Sequence, residues 1–158
     1  MISFHYLKYL QSNYNDLYLC DELYVFYNVV QLIMIKTMLL IGTGGFLGSI
    51  SRFLASRFMQ DIFPSAFPFG TFFVNISGCL LIGLIYGFSE RSSLLTSGWK
   101  MFLAVGFCGG FTTFSTFANE NLALLRDGAY FYFSLYTGLS VFLGIAATFF
   151  GVLLTKIL

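Results

Sequence analysis

Charge is the first thing this 158-residue chain is short of: Asp, Glu, Lys and Arg together make up 9% of it, against roughly 25% in an ordinary soluble protein. A soluble globule of this size would not have enough polar side chains to cover its own surface. The net charge is +1, so no basic stripe is available for nucleic acid. Histidine occurs once, as His5, far in sequence from any promising Ser or Cys. That argues against a histidine-based triad or a metal cluster. The three cysteines, Cys20, Cys79 and Cys108, are odd in number, widely spaced and free of any CxxC pattern. Neither a disulfide framework nor a zinc site is indicated. With these groups missing, the chain does not read as an enzyme.

Apolar and aromatic residues are abundant instead. Hydrophobic residues reach 58% and aromatic residues 20%, including 21 Phe and 10 Tyr. The natural solvent for such a chain is lipid. Its few charges divide it into four long apolar runs. The first begins at Met38 and continues past Arg52 to about Gln60. The second follows Pro64 and Pro68, from about Phe69 to Ser89. The third covers Met101 to Asn119 and extends toward Leu125, and the fourth lies within Gly128 to Thr155. A helix needs about 20 apolar residues to cross a bilayer core, and each run supplies them. The fold class expected is an all-α integral membrane protein of four transmembrane helices. Residues 37–158 form the membrane domain, with no room for a soluble one.

Residues 1–36 differ. They carry Asp16, Asp21, Glu22 and several Asn and Tyr, and their charge-free run from Leu23 to Ile35 is too short to span. They read as a dispensable N-terminal extension, either an interfacial arm or a stretch ahead of an internal start at Met34 or Met38. Positive charge does not fix the orientation of the bundle. Lys36, Arg91, Lys100 and Lys156 fall on one side, and Arg57 and Arg126 on the other with Arg52 near them. Such a chain can insert both ways round and pair as an antiparallel two-fold dimer.

Within lipid, helices associate through small residues and through polar groups that avoid hydrocarbon. The first run has Gly44 and Gly48, continued at the same spacing by Arg52 and Ser56. In the second, Thr71, Asn75, Cys79, Gly83 and Gly87 share one helix face. Tyr136, Ser140, Gly144 and Thr148 form a similar row in the fourth. Plain packing accounts for the glycines. Asn75 is different, because an amide within a span must satisfy two donors and an acceptor.

The third run is interrupted at its middle by Gly106-Phe107-Cys108-Gly109-Gly110-Phe111-Thr112-Thr113-Phe114-Ser115-Thr116-Phe117. Paired glycines and three threonines allow the helix to open there and free backbone carbonyls. Non-helical backbone at membrane depth is tolerated where it is buried in protein or lines a cavity. Freed carbonyls can coordinate a desolvated cation. Phe114 and Phe117 share a face at i,i+3 beside this point. A ring edge carries positive potential and can stabilise an anion. Asn75, Thr113, Ser115, Thr116, Tyr136 and Ser140 add neutral donors, a set that suits a small, strongly hydrated monovalent anion.

Three motifs resemble those of the Fluc/CrcB family of fluoride channels: Gly44-Gly45-Phe46-Leu47-Gly48 leading to Arg52-Phe53, Gly70-Thr71-Phe72-Phe73-Val74-Asn75 leading to Gly78, and the third-run motif followed by Glu120. The resemblance covers about residues 38–157 and leaves residues 1–36 without a counterpart. It implies a passive, fluoride-specific channel of the cell membrane, built as a dual-topology antiparallel homodimer or as a heterodimer with a paralogue. It further implies that Phe114, Phe117 and Asn75 line the fluoride pore, with Ser115 and Thr116 near it and Tyr136 and Ser140 contributing from the fourth helix. A central structural sodium ion would be held by the main-chain carbonyls of Gly109 and Thr112. Arg52 would stand near an aqueous vestibule or pair with Glu120.

A mechanism follows from this reading. Hydrogen fluoride crosses the bilayer unaided, dissociates inside and traps the ion. The inside-negative potential then expels fluoride through an open channel, at about 2.3 kcal/mol per charge per 100 mV. Two rivals compete with it. A small four-helix dual-topology drug or cation exporter needs a titratable carboxylate deep in a span, and the span-associated acid here is Glu120. A structural assembly subunit explains the glycines but not the polar interruption.

Overall fold

The computed structural model describes the backbone of residues 17–91 and 96–157 and the side chains of residues 22–90 and 96–157. Residues 1–16 of the expected extension lie outside the described residues. All regular structure among the described residues is helical. Helix α1 runs Leu17–Ile62 and α2 runs Phe69–Arg91. A short α3 (Ser97–Lys100) leads into a π-helical segment (Met101–Cys108) and then α4 (Gly109–Phe111). Helices α5 (Phe114–Arg126) and α6 (Tyr130–Ile157) complete the chain. Among the described residues, four stretches are long and apolar enough to cross a membrane: Glu22–Ile62, Phe69–Glu90, Ser97–Arg126 and Tyr130–Ile157.

Packing divides the chain after Met38. In the N-terminal unit the helix already begins at Leu17, earlier than the span expected from Met38. The stretch 23–35 contains neither Gly nor Pro, so nothing in it stops the backbone hydrogen bonding. Its side chains from Glu22 to Lys36 are exposed. Asn28 and Gln31 bond within the helix, to the Tyr24 carbonyl at 2.8 Å and the Tyr27 hydroxyl at 3.0 Å.

In the unit from Leu39 onward, α1 ends where Pro64 and Pro68 prevent a continuous helix. The turn is stitched by Gln60, whose Nε2 donates to the Ser65 carbonyl at 3.3 Å. Its Oε1 accepts from the Gly70 amide at 3.4 Å. At the far end of α5, Gly128 adopts a left-handed φ of 70°, and its amide and that of Ala129 cap the Leu125 and Leu124 carbonyls.

Glycine governs how closely the spans approach. A Cβ on Gly44 would collide with the Phe102 carbonyl, one on Gly48 with the Phe107 carbonyl, and one on Gly110 with the Gly45 carbonyl. Span one therefore lies backbone to backbone on span three, as small residues permit in lipid. Gly83 and Gly151 bring α2 and α6 together in the same way. The polar row of α6 reinforces that contact, Thr148 Oγ1 donating to the Cys79 carbonyl at 3.1 Å. Tyr136, Val74 and Thr155 are fully buried, whereas Phe46, Phe53, Phe58, Phe142 and Phe149 point outward, as lipid-facing side chains do.

The structure narrows the interruption of span three to the threonine end of the stretch. The sequence marks Gly109–Thr112, and within it Gly109 and Gly110 are helical. The extended residues are Thr112 (φ −84°, ψ 156°) and Thr113 (φ −149°, ψ 119°). Gly110 serves close approach instead, and the helix opens two residues later, where another helix supplies the hydrogen bonds it gives up.

Candidate functional site

That supply comes from Asn75 of α2. Its Nδ2 donates to the Thr113 carbonyl at 3.1 Å, and its Oδ1 accepts from the Thr113 amide at 2.8 Å. The side-chain amide pairs with one extended residue much as a neighbouring strand would. Because the Thr113 N–H requires an acceptor, this pairing fixes which way the Asn75 amide points. One N–H of Nδ2 then remains uncommitted.

The carbonyls of Gly109, Gly110, Phe111 and Thr112 also lose their helical partners at these extended residues. In an uninterrupted helix the Thr113 amide would close on Gly109, and the Thr116 amide on Thr112. The first goes to Asn75, and the second to the Thr113 hydroxyl at 3.3 Å, which caps α5. The Thr112 carbonyl meets Arg52 Nη1 only at a long 3.5 Å. Gly109 is exposed and would meet nothing if it carried a Cβ.

A cavity of about 390 Å³ opens beside this point. Its wall includes Asn75, Cys79, Cys108, Gly109, Thr112, Thr113, Phe114, Phe117, Ser140 and Val141. Span two, span three and span four all contribute. The Phe114 and Phe117 rings stand 5.8 Å apart between centroids at 39° to each other, and Phe114 is 79% exposed. The Ser140 hydroxyl is buried and has no hydrogen-bond partner among the described residues. Of the residues singled out from the sequence, Asn75, Phe114, Phe117, Ser140, Gly109 and Thr112 are thus brought together around one space.

Others stand apart from it. Ser115 and Thr116 are exposed and gather around the Thr113 hydroxyl at 3.3 and 3.0 Å. Tyr136 is packed against Phe117 at 5.0 Å and donates its hydroxyl to Glu120 Oε2 at 2.7 Å. The other carboxylate oxygen accepts from Thr71 at 2.7 Å. Glu120 is therefore held by two hydroxyls, and Arg52 lies against Thr112; these two side chains do not pair with each other. Sequence reading missed Asn121 and Thr137, which bond one another across α5 and α6 at 2.8 Å. Contacts between residues 16 apart leave no trace in helical periodicity.

A multi-pass, all-helical protein of the cell membrane, with uncharged donors and aromatic rings around an open cavity, is the class these features define. Residues 39–152 match the family model described as CrcB-like protein, Camphor Resistance (CrcB), and the chain belongs to this family. It is 45% identical over 121 residues to a fluoride-specific ion channel FluC of Flavobacterium psychrophilum, covering 77% of this chain and 98% of that protein. A fluoride-specific ion channel FluC of Chlorobium phaeobacteroides is 48% identical over 76% of this chain and 93% of its own length. Another from Campylobacter jejuni is 42% identical over 78% of this chain and the whole of its own.

Proposed function

We propose that this chain is a fluoride-specific ion channel that passively releases fluoride from the cytoplasm and so relieves its toxicity. The observation that carries the reading is the cavity wall. It includes Asn75, one of whose N–H groups has no partner among the described residues, and Ser140, whose buried hydroxyl has none either, beside the rings of Phe114 and Phe117. A small anion sheds tightly held water only if close donors replace it, and hydrogen bonds to a charged group are worth about 1.5–3 kcal/mol each. Ring edges add positive potential without a fixed charge that would hold the ion too long. Ser115 and Thr116 extend the hydroxyl supply at the start of α5, and Tyr136 holds the Phe117 ring from behind. Arg52 stands at the vestibule.

The working unit in this proposal is an antiparallel, dual-topology homodimer or a heterodimer with a paralogue. Span three is broken at mid-membrane, and Gly109 and Phe114, both exposed in the single chain, face the second copy. A structural sodium ion fits there. The Gly109 and Thr112 carbonyls lack helical partners and are hard oxygen donors of the kind such a cation takes. When bound, the ion would cross-brace the two copies through these carbonyls and take no part in moving fluoride.

Fluoride efflux from liposomes containing the purified protein tests the function. An outward fluoride gradient alone, with no proton gradient, is expected to drive release. A proton-coupled exporter would release nothing without a proton gradient, and an assembly subunit would release nothing under either condition.

A further inference from the structure

In this bundle Thr43, Ser77, Thr112 and Thr155 bond back to carbonyls of their own helix, at 2.7–2.9 Å. Thr137 does not. Its Oγ1 donates across the helix boundary to Asn121 Oδ1 at 2.8 Å, while Asn121 Nδ2 donates to the Phe117 carbonyl at 2.9 Å. Asn121 is only 7% exposed, inside a segment that spans the membrane. A buried amide there is costly unless partnered, so helices carrying such a pair are held at one relative height and rotation.

The neighbouring residues repeat the arrangement. Glu120 meets Tyr136, so two consecutive residues of α5 are joined to two consecutive residues of α6. From this double contact, Phe117 lies one turn back along α5 and Ser140 one turn on along α6. Both line the same cavity, from opposite helices.

We infer that Asn121 and Thr137 are positioning residues that set the gap between the Phe117 ring and the Ser140 hydroxyl, and with it the discrimination between fluoride and the larger chloride. The inference rests on the channel reading above. Neither side chain touches the ion; each acts through the helix it pins. A gap set by a hydrogen bond is narrow and fixed, whereas one set by apolar contact alone allows the half-helix to turn.

The test measures fluoride and chloride flux in liposomes for Thr137→Val, Thr137→Ser, Asn121→Leu and Phe117→Ile. Thr137→Val keeps the shape of the side chain and removes the donor, leaving Asn121 Oδ1 without it. Fluoride flux is expected to fall about tenfold or more, since positioned sites lose that much from displacements near one ångström. The fluoride-to-chloride ratio is expected to fall with it, and Thr137→Ser, which keeps the hydroxyl, restores both. Asn121→Leu removes the same bond from the other side and should reproduce the loss of discrimination. A folded Thr137→Val or Asn121→Leu protein with the wild-type ratio overturns the inference, as does a loss of stability without a change in ratio. The wild-type protein and Phe117→Ile separate the two levels. If the wild type releases no fluoride down a gradient the channel reading fails. If Phe117→Ile conducts with the wild-type ratio, that ring does not bound the path and the positioning role falls with it. An impaired Phe117→Ile beside a normal Thr137→Val sinks only the positioning role.

Discussion

Asn75 carries two burdens with one amide. It replaces the helical partners that Thr113 has lost, and it keeps one N–H in hand on the cavity wall. Asn75→Asp retains the acceptor for the Thr113 amide, loses both donors and sets a negative charge against a permeating anion. It should fold and dimerise yet conduct fluoride more than tenfold slower in liposomes, by the conversion of about 1.4 kcal/mol per decade. Phe114→Ile and Phe117→Ile change packing by only about 1.5 kcal/mol or less, so a flux loss of an order of magnitude at one of them must reflect the missing ring edge. Wild-type flux in all three variants would mean that these residues do not line the path. Ser140→Ala is the cleaner probe, because that hydroxyl has no partner among the described residues to lose. Its stability should be unchanged while fluoride flux drops about tenfold, the worth of one hydrogen bond to a charged group. Unchanged flux would remove Ser140 from the path. These four residues were legible in the sequence as polar or aromatic groups where lipid would disfavour or ignore them. What Tyr136 does was not, since nothing in its own helix announces that its hydroxyl belongs to Glu120.

Among the elements, the charge-free runs revealed all four spans, because few other constraints act on a chain that must dissolve in hydrocarbon. The start of α1 was hidden, for a run too short to span can still continue a helix. Which residues of the marked stretch Gly106–Phe117 leave the helix was hidden too. Gly109 and Gly110 are the residues freest to leave the helix, but the outcome depends on which backbone groups find new partners, and Asn75 is 38 residues away from Thr113. Glycines placed at four-residue spacing nevertheless make a prediction at this scale. A methyl group on Gly48 has only the backbone of span three to push against, whereas one on Gly42 meets nothing within 4 Å. Gly48→Ala should cost about 1–3 kcal/mol as overpacking does, read as a fall in melting temperature in detergent. Gly42→Ala should hold or gain stability, since alanine is the better helix former by about 1 kcal/mol. Equal melting temperatures for the two variants would show that spans one and three do not lie in backbone contact.

For the whole molecule, the N-terminal stretch and the second copy raise separate questions. The family match begins at residue 39, and every group assigned to the cavity lies beyond it. Deleting residues 1–36 should therefore leave fluoride efflux within about twofold of wild type. A truncated protein that inserts and dimerises but does not conduct would refute this. The cation is a matter of assembly. Two carbonyls from one chain are too few for sodium, but the same pair from an antiparallel partner would give four oxygens around a shared axis, enclosed between the copies. An ion so enclosed leaves only when the copies separate or loosen, so its loss should be slow. Brief transfer of the reconstituted protein into sodium-free solution is expected to leave efflux unchanged. Days of exchange should reduce it, in step with loss of the dimer on size-exclusion chromatography, and returning sodium should recover both. Full efflux from a persistent dimer after exhaustive exchange, with no lithium or other substitute present, would leave the Gly109 and Thr112 carbonyls without a metal to hold and would require another reason for their release from the helix.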